Sequence, residues 1–323
     1  MKRGWGPRGF FLVVVFLLAG NGSSLAAGYP EHNIQFIIPN VAGAQMDVTG
    51  RLLASEMEKA LGVKIIPNNK PGAGTVLGVE AGIRARKDGY TLFYAGNNAF
   101  VTAPACTPDV VRYDPVKDAE PLGFHYFFPL TIAVRSDAPW KTFLEFVDYA
   151  KKNPNKIRVS TTGVGSGPHL IVETVQAITG ARLTHVPFEG GESIITAVLG
   201  GHVEATCDTL AKVKPHVDAG KMKILLITNK MPGYPDVPTI SELGYKQPLY
   251  GGWFGMYAPA GIPEETKNTL VRAVEKAVKA TKPRIDALGN LCEYKSPAEQ
   301  RRMAEEEYKK ALDIAIRIGM RKK

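Results

Sequence analysis

Residues 157–178 read IRVSTTGVGSGPHLIVETVQAI. IRVS (157–160) is short, apolar and β-branched, as in a buried strand, and Leu170, Ile171, Val175 and Ile178 then recur at the spacing of one helical face. Between them TTGVGSGPHL (161–170) packs three glycines and small hydroxyls. The unit is strand, glycine loop, helix. Three enzymatic templates fail on this loop. A nucleophile elbow needs glycine two positions either side of the serine, where Val164 and Pro168 flank Ser166. A phosphate loop needs a lysine, and none stands between Lys156 and Lys212. A dinucleotide fingerprint needs a third glycine where Pro168 stands. What remains is a helix start with unpaired backbone N–H groups and the positive end of the helix dipole behind them. A carboxylate held there gains charge-assisted hydrogen bonds of about 1.5–3 kcal/mol each. The competing reading is an ordinary turn capped by Ser166.

Outward from this unit the alternation continues. IQFII (34–38), VKII (63–66), TLFYA (91–95), THVPF (184–188), VEATCD (203–208) and KILLIT (223–228) read as strands. Helical faces fall on Val48, Leu52, Leu53, Met57 and Leu61, then near 76–86, 141–152 and 192–199. This order predicts an α/β fold with largely parallel sheets, and helices only from Pro263 onward. Two apolar stretches, GFHYFFPLTIAV (123–134) and YGGWFGMYAP (250–259), are long enough to leave one sheet and enter another. They predict an interrupted first lobe, 27–128 plus 255–323, and a second lobe, 129–254.

The bulk properties restrict function. A chain of 323 residues, 45% hydrophobic and 22% charged, suits two globular domains. Lys2, Arg3 and Arg8, then FFLVVVFLLA (10–19) and a small-residue site ending at Ala26, have the layout of a cleaved signal peptide over 1–26. The apolar run is about half of the roughly 20 residues a spanning helix needs. Its removal leaves 37 basic and 31 acidic residues, a net +6 in place of +9. No basic stripe interleaved with aromatics appears, which argues against nucleic-acid binding. Cys106, Cys207 and Cys292 have no metal spacing and allow at most one disulfide. The six histidines form no HxxxH or HExxH pattern. Neither a metal nor a cofactor is expected, nor an enzyme, since no nucleophile has a partner at motif spacing.

Two further junctions resemble the first. PNVAGAQMD (39–47) joins a strand to a helix, with Asp47 read as an N-cap. PFEGGES (187–193) does the same with two glycines, and PGAGTVLG (71–78) reads as a tight turn because Leu77 replaces the third glycine of a dinucleotide loop. Three such junctions at strand ends are what a crevice at the carboxyl edge of an open α/β sheet requires.

In order and spacing, YPEHNIQFIIPNVAGAQMD, PGAGTVLG, KDGYTLFYAGNN, YDPVKD, TTGVGSGPHL, THVPFEGGE, LLITNKMPGYPDVPTISELGY and WFGMYAPAGIP resemble the solute-binding receptors of tripartite tricarboxylate transporters, the Bug-type periplasmic binding proteins. The resemblance covers the chain from Tyr29 to the C-terminal helices. It implies a type II periplasmic binding protein fold, two α/β lobes joined by two crossover strands that close on a ligand. It implies a periplasmic monomer that takes a small carboxylate and delivers it to a two-subunit membrane permease. Residue by residue, it implies carboxylate contacts from Thr162, Ser166, Gly167 and His169, and from Phe188, Glu189 and Gly190. The first lobe would add Gly43, Ala44, Gln45, Met46 and Asp47 with Asn97 and Asn98, and Asp208 would stand near the hinge.

Two departures bear on the ligand. The family's glycine run before the aspartate is here Ala44, Gln45 and Met46, whose side chains would fill space otherwise left to water and ligand. Phe188 and Glu189 replace the family's usual Tyr and Lys. An acidic neighbour disfavours a trianion, so a mono- or dicarboxylate, aromatic acids included, is expected in place of citrate. A receptor docking to a sensor protein is the alternative with the same ligand site, and an α/β hydrolase-like enzyme is a more distant one.

Overall fold

The structure is a computed structural model and describes residues 1, 28–188, 193–249 and 251–322. The expected signal segment, apart from Met1, and Glu189 and Gly190 therefore lie outside the described residues.

β1 (Ile34–Ile38) leads into α1 (Gln45–Leu61), whose Met46, Leu53 and Met57 are buried on one face, and which ends at Gly62 in the left-handed conformation. β2 (Ile65–Asn69), a turn at 73–75, α2 (Val76–Ile83) and β3 (Thr91–Gly96) follow. A π-helical turn, Asn98–Thr102, runs into α3 (Ala103–Cys106). β4 (Ala119–Phe128) and β5 (Leu130–Arg135) are separated by Pro129 alone. Next come α4 (Phe143–Lys152), β6 (Ile157–Thr161), α5 (Gly167–Thr179), β7 (Leu183–Pro187) and α6 (Ser193–Leu199). Then follow β8 (Ala205–Thr209), α7 (Leu210–Asp218), β9 (Met222–Ile227) and β10 (Gly252–Pro259). The chain closes with α8 (Glu264–Ala287), β11 (Leu291–Lys295) and α9 (Pro297–Arg317).

These strands form two sheets, ordered β11-β4-β10-β3-β1-β2 and β7-β6-β8-β5-β9. Each is a middle layer. On one face of the first sheet Ile34 and Phe36 pack against Leu53 and Met57 of α1 and Leu270 and Val274 of α8. On the other, Phe93, Trp253 and Tyr257 meet Phe100 and Ile314. The second sheet buries Ile132 and Val159 against Phe143, Phe146 and Val172, and Ala133 and Ile227 against Ile195, Val198 and Val213.

Two expectations need correction. The sheets are mixed: β1 pairs in parallel with β2 and β3, and β6 with β7 and β8, but β10 is antiparallel to both β3 and β4, and β5 to both β8 and β9. The strands next to the crossings enter each sheet from the other one, so no crossover helix sets them parallel. The stretch after Pro263 is not helical throughout, because β11 adds antiparallel to the outer side of β4. Cys292 on this strand is buried beside an exposed Glu293, the alternation of an edge strand with one covered face.

Strand directions fix where the loops emerge. β4 runs alongside β3 in the same sense, both being antiparallel to β10. Its carboxyl end at Phe128 therefore lies with those of β1 and β3. Past the single residue Pro129, Leu130 pairs with Thr209, the carboxyl end of β8. The short crossing thus sets the carboxyl edges of the two sheets facing each other.

Candidate ligand-binding site

The segments that follow β1, β3 and β6 open on this facing edge, and Asp208 stands near the end of strand β8 beside it. Proximity across it is direct. A Cβ on Gly167 would lie 3.9 Å from Asn97 Nδ2, and one on Gly165 would meet Met320 Cε at 2.9 Å and Cys106 Cβ at 3.4 Å. The second sheet's helix start therefore touches elements of the first.

In the first lobe, Ala44 is the N-cap of α1 and has no side-chain cap bond. Asp47 lies three residues into the helix, so its reading as the cap is corrected: its side chain reaches back to the residue preceding the cap. Gly43, at a φ of +81°, donates its amide to Asp47 Oδ2 at 2.9 Å. Asp47 Oδ1 accepts from Arg51 Nε at 2.8 Å and from Asn69 Nδ2 at 2.9 Å. Burial pushes this carboxyl up, but the Gly43 amide, Asn69 and Arg51 outweigh it and hold it below the ordinary range. Asp47 anchors the loop. Gln45 turns its amide to Asn290 Oδ1 at 2.9 Å, and Met46 is buried in the core. The amides of the first helical turn have no intrahelical acceptor.

Asn97 and Asn98 are half-buried where β3 gives way to the π-helical turn. Asn98 Nδ2 donates to the Gly74 carbonyl, tying in the turn of residues 73–75. Asn97 Oδ1 accepts from the Trp253 amide at 3.4 Å, which leaves its Nδ2 group toward Gly167.

In the second lobe, Ser166 is the N-cap of α5: its hydroxyl donates to the Gly163 carbonyl at 2.7 Å and accepts from the His169 amide at 3.3 Å. Pro168 has no amide hydrogen. Of the first three helical positions only Gly167 then keeps an N–H for which no acceptor stands among the described residues. His169 is buried and turned inward. Its Nδ1 accepts from the Gly165 amide at 3.0 Å, its Nε2 lies 3.7 Å from Glu173 Oε1, and its ring stacks on His185 with centroids 4.0 Å apart. His185 in turn bonds Thr161 Oγ1 at 2.6 Å. Burial, then His169, push His185 down to about 4, against an opposing pull from Glu173. The histidine pair braces the loop from behind.

Thr162 is half-buried at the end of β6. Phe188, half-buried, donates its amide to the Thr161 carbonyl at 2.9 Å and packs on the Ile195–Val213 cluster. Asp208, 1% exposed, accepts from the Thr209 amide at 2.7 Å and from Lys212 Nζ at 3.1 Å. The adjacent Leu210 amide bonds the Pro129 carbonyl at 2.8 Å, so Asp208 does sit beside the short crossing. All three cysteines are free and buried, which excludes a bond between Cys106 and Cys292. Among the described residues no group of three or more His, Cys, Asp or Glu could hold a metal ion, and no helix is long and apolar enough to cross a membrane.

Two residues near the site have no signal in the local sequence. Trp253 on β10 donates its indole N–H to Glu307 Oε2 on α9 at 2.8 Å. The backbone bond to Asn97 places this pair directly behind the site.

Comparisons with known proteins identify the family. The tripartite tricarboxylate transporter family receptor model matches residues 49–319. A UPF0065 protein of Bordetella bronchiseptica is 33% identical over 273 residues, 83% of this chain and 80% of that one. A TctC solute-binding protein from Polaromonas superposes with a TM-score of 0.80 at 29% identity, over 88% of this chain and 98% of its own. MatC from Rhodopseudomonas palustris, solved with bound malate, gives 0.70 at 29% identity, over 89% and 100%. With the family model matching residues 49–319, the chain belongs to the tripartite tricarboxylate transporter receptor family, as a solute-binding receptor and not an enzyme.

Proposed function

We propose that this receptor captures a small mono- or dicarboxylate, aromatic acids included, between lobes 27–128 plus 255–323 and 129–254, and delivers it to a two-subunit membrane permease. The observation that carries the reading is the convergence of the β1, β3, β6 and β8 carboxyl ends around Phe128–Pro129–Leu130, with the starts of α1 and α5 on opposite sides. One carboxylate is held by the Gly167 amide and Asn97 Nδ2, with the first-turn amides of Gln45, Met46 and Asp47 reached directly or through water. Thr162 and Phe188 form the wall beside it. Ser166, His169 and Asp208 act by shaping the loops, since their polar atoms are already engaged. The protein works as an exported monomer after loss of residues 1–26, and ligand bridging the lobes favours the closed form that docks.

Charge supports the choice against citrate. Residues 39–47, 97–98, 162–169 and 188–193 contain no lysine or arginine, so these loops offer a trianion amide dipoles and no charge. Malate, as held by the Rhodopseudomonas relative, fits this supply better. Thermal unfolding and calorimetry against citrate, malate, straight-chain acids and benzoate test the reading. A ligand at a hundredfold its dissociation constant should add about 2.7 kcal/mol of stability. Citrate binding tighter than every mono- and dicarboxylate in the panel would refute the ligand class.

A further inference from the structure

Behind Gly167 and Asn97 a cavity of about 70 Å³ runs between α5 and α9. That is several times the ~10–15 Å³ a single water needs. Its walls are mainly apolar: Leu170 and Ile171 of α5, Leu249 of the long crossing, and Ala311 and Ile314 of α9. Two charged residues also line it, Glu307 and Lys310. Glu307 is 4% exposed, its Oε2 accepts from the Trp253 indole at 2.8 Å, and its Oε1 is buried with no hydrogen-bond partner. A buried polar atom left unpaired is costly, and here it borders an open space.

Resting on the carboxylate reading above, we propose that this cavity takes the ligand's tail, an apolar body ending in an uncharged hydrogen-bond acceptor such as a hydroxyl or carbonyl, which Glu307 holds through Oε1. The carboxylate would stay at the cavity mouth on Gly167 and Asn97, both of which line it.

The acid is suited to donate. Burial raises its carboxyl to about 8, with Glu306 adding to the shift and the Trp253 bond and Lys310 opposing it. Tyr257 of β10 also feels Glu307. Near neutrality the carboxyl keeps its proton, and because Oε2 accepts from the indole, the O–H belongs to Oε1. Glu307, Trp253 and Asn97 form one bonded series, so a tail seated on Glu307 is continuous with the head group's own contacts.

The test is calorimetry with straight-chain acids from butanoate to octanoate, each with and without an ω-hydroxyl, on the wild type, Glu307→Leu and Glu307→Gln. At the best-fitting length the hydroxyl should tighten wild-type binding about tenfold, the worth of one buried hydrogen bond. Glu307→Leu should abolish that advantage. Glu307→Gln keeps an N–H donor and should retain most of it. A circular dichroism melt confirms that each variant is folded, and Glu307→Gln preserves the test if the leucine variant is not. If malate binds but no hydroxyl advantage appears at any length, or the advantage is equal in all three proteins, the tail site is wrong and the carboxylate reading stands. If no acid binds, malate included, both fall.

Discussion

Asp47→Ala offers the sharpest test of how the first loop is built. The carboxylate is 4% exposed and accepts from Gly43, Asn69 and Arg51 at 2.8 to 2.9 Å. The Arg51 side chain is 45% exposed, so that ion pair counts for no more than about 0.2–1 kcal/mol. The other two bonds to a charged acceptor are worth about 1.5–3 kcal/mol each. Relief of the carboxylate's own desolvation offsets part of this, and a net loss of roughly 2–4 kcal/mol is expected. At about 2 °C per kcal/mol for a chain of this size, melting should fall by about 4–8 °C. The pH dependence has a definite sign. The folded value lies below the ordinary 3.8, so Asp47's contribution is complete above that pH and is lost as the pH falls through the lower, folded value. Calorimetric melts of wild type and variant at neutral pH and at about pH 3 read this directly. The gap should be widest at neutral pH and shrink in acid. A gap below about 0.5 kcal/mol at neutral pH, or one that does not change in acid, would refute the anchoring role.

Other perturbations probe the second loop and the core. Ser166→Ala removes the cap of α5 and should lower stability by about 1 kcal/mol in urea unfolding; no change would mean the hydroxyl is idle. Gly165→Ala places a Cβ 2.9 Å from Met320 at a φ of +75°, so it should lower melting by several degrees, whereas Gly62→Ala at a similar φ meets nothing within 4 Å and should have the smaller effect. His185 is held near 4 against an ordinary 6.5, so its contribution is full above about 6.5 and is lost toward 4; His185→Gln should flatten the stability curve in that window, and an unaltered curve would count against the buried neutral imidazole. All three thiols are buried, with burial raising Cys106 to about 11 and Cys292 to about 12. A thiol reagent should therefore count none in the native protein and three in denaturant, and rapid native labelling would contradict the packing.

Much of this was legible in the chain because the signals were local. Ile34–Ile38 and Ile157–Thr161 are apolar runs that begin and end at turn residues, and Ser166 caps a helix four residues ahead of its first apolar pair. What escaped depends on which strands lie side by side. His169 reads as a donor beside an anion site, but the parallel register of β6 and β7 puts His185 against its ring. Asp47 has the composition of a cap, yet its partner Asn69 comes from the neighbouring strand β2. β11 hides between two long helical patterns, marked only by Gly289–Asn290 and a five-residue alternation. Glu307 lies 54 residues from Trp253, and nothing near it in the chain marks it as buried.

The place of β10 in the first sheet also sets an order of assembly. Every strand of the second sheet falls between Leu130 and Ile227, so that sheet can close as soon as this stretch is available. The first sheet cannot. Its β3 and β4 are not neighbours until Gly252–Pro259 inserts between them, and the outer β11 arrives later still. Pairings such as Gln45 with Asn290 span 245 residues, and contacts of such separation form slowly because the loop entropy is lost before they are made. During that interval β3 presents one unpaired strand edge and β4 two, the features through which partly folded chains associate. The nascent chain is therefore most exposed to aggregation after its inserted lobe has formed and before its last residues arrive.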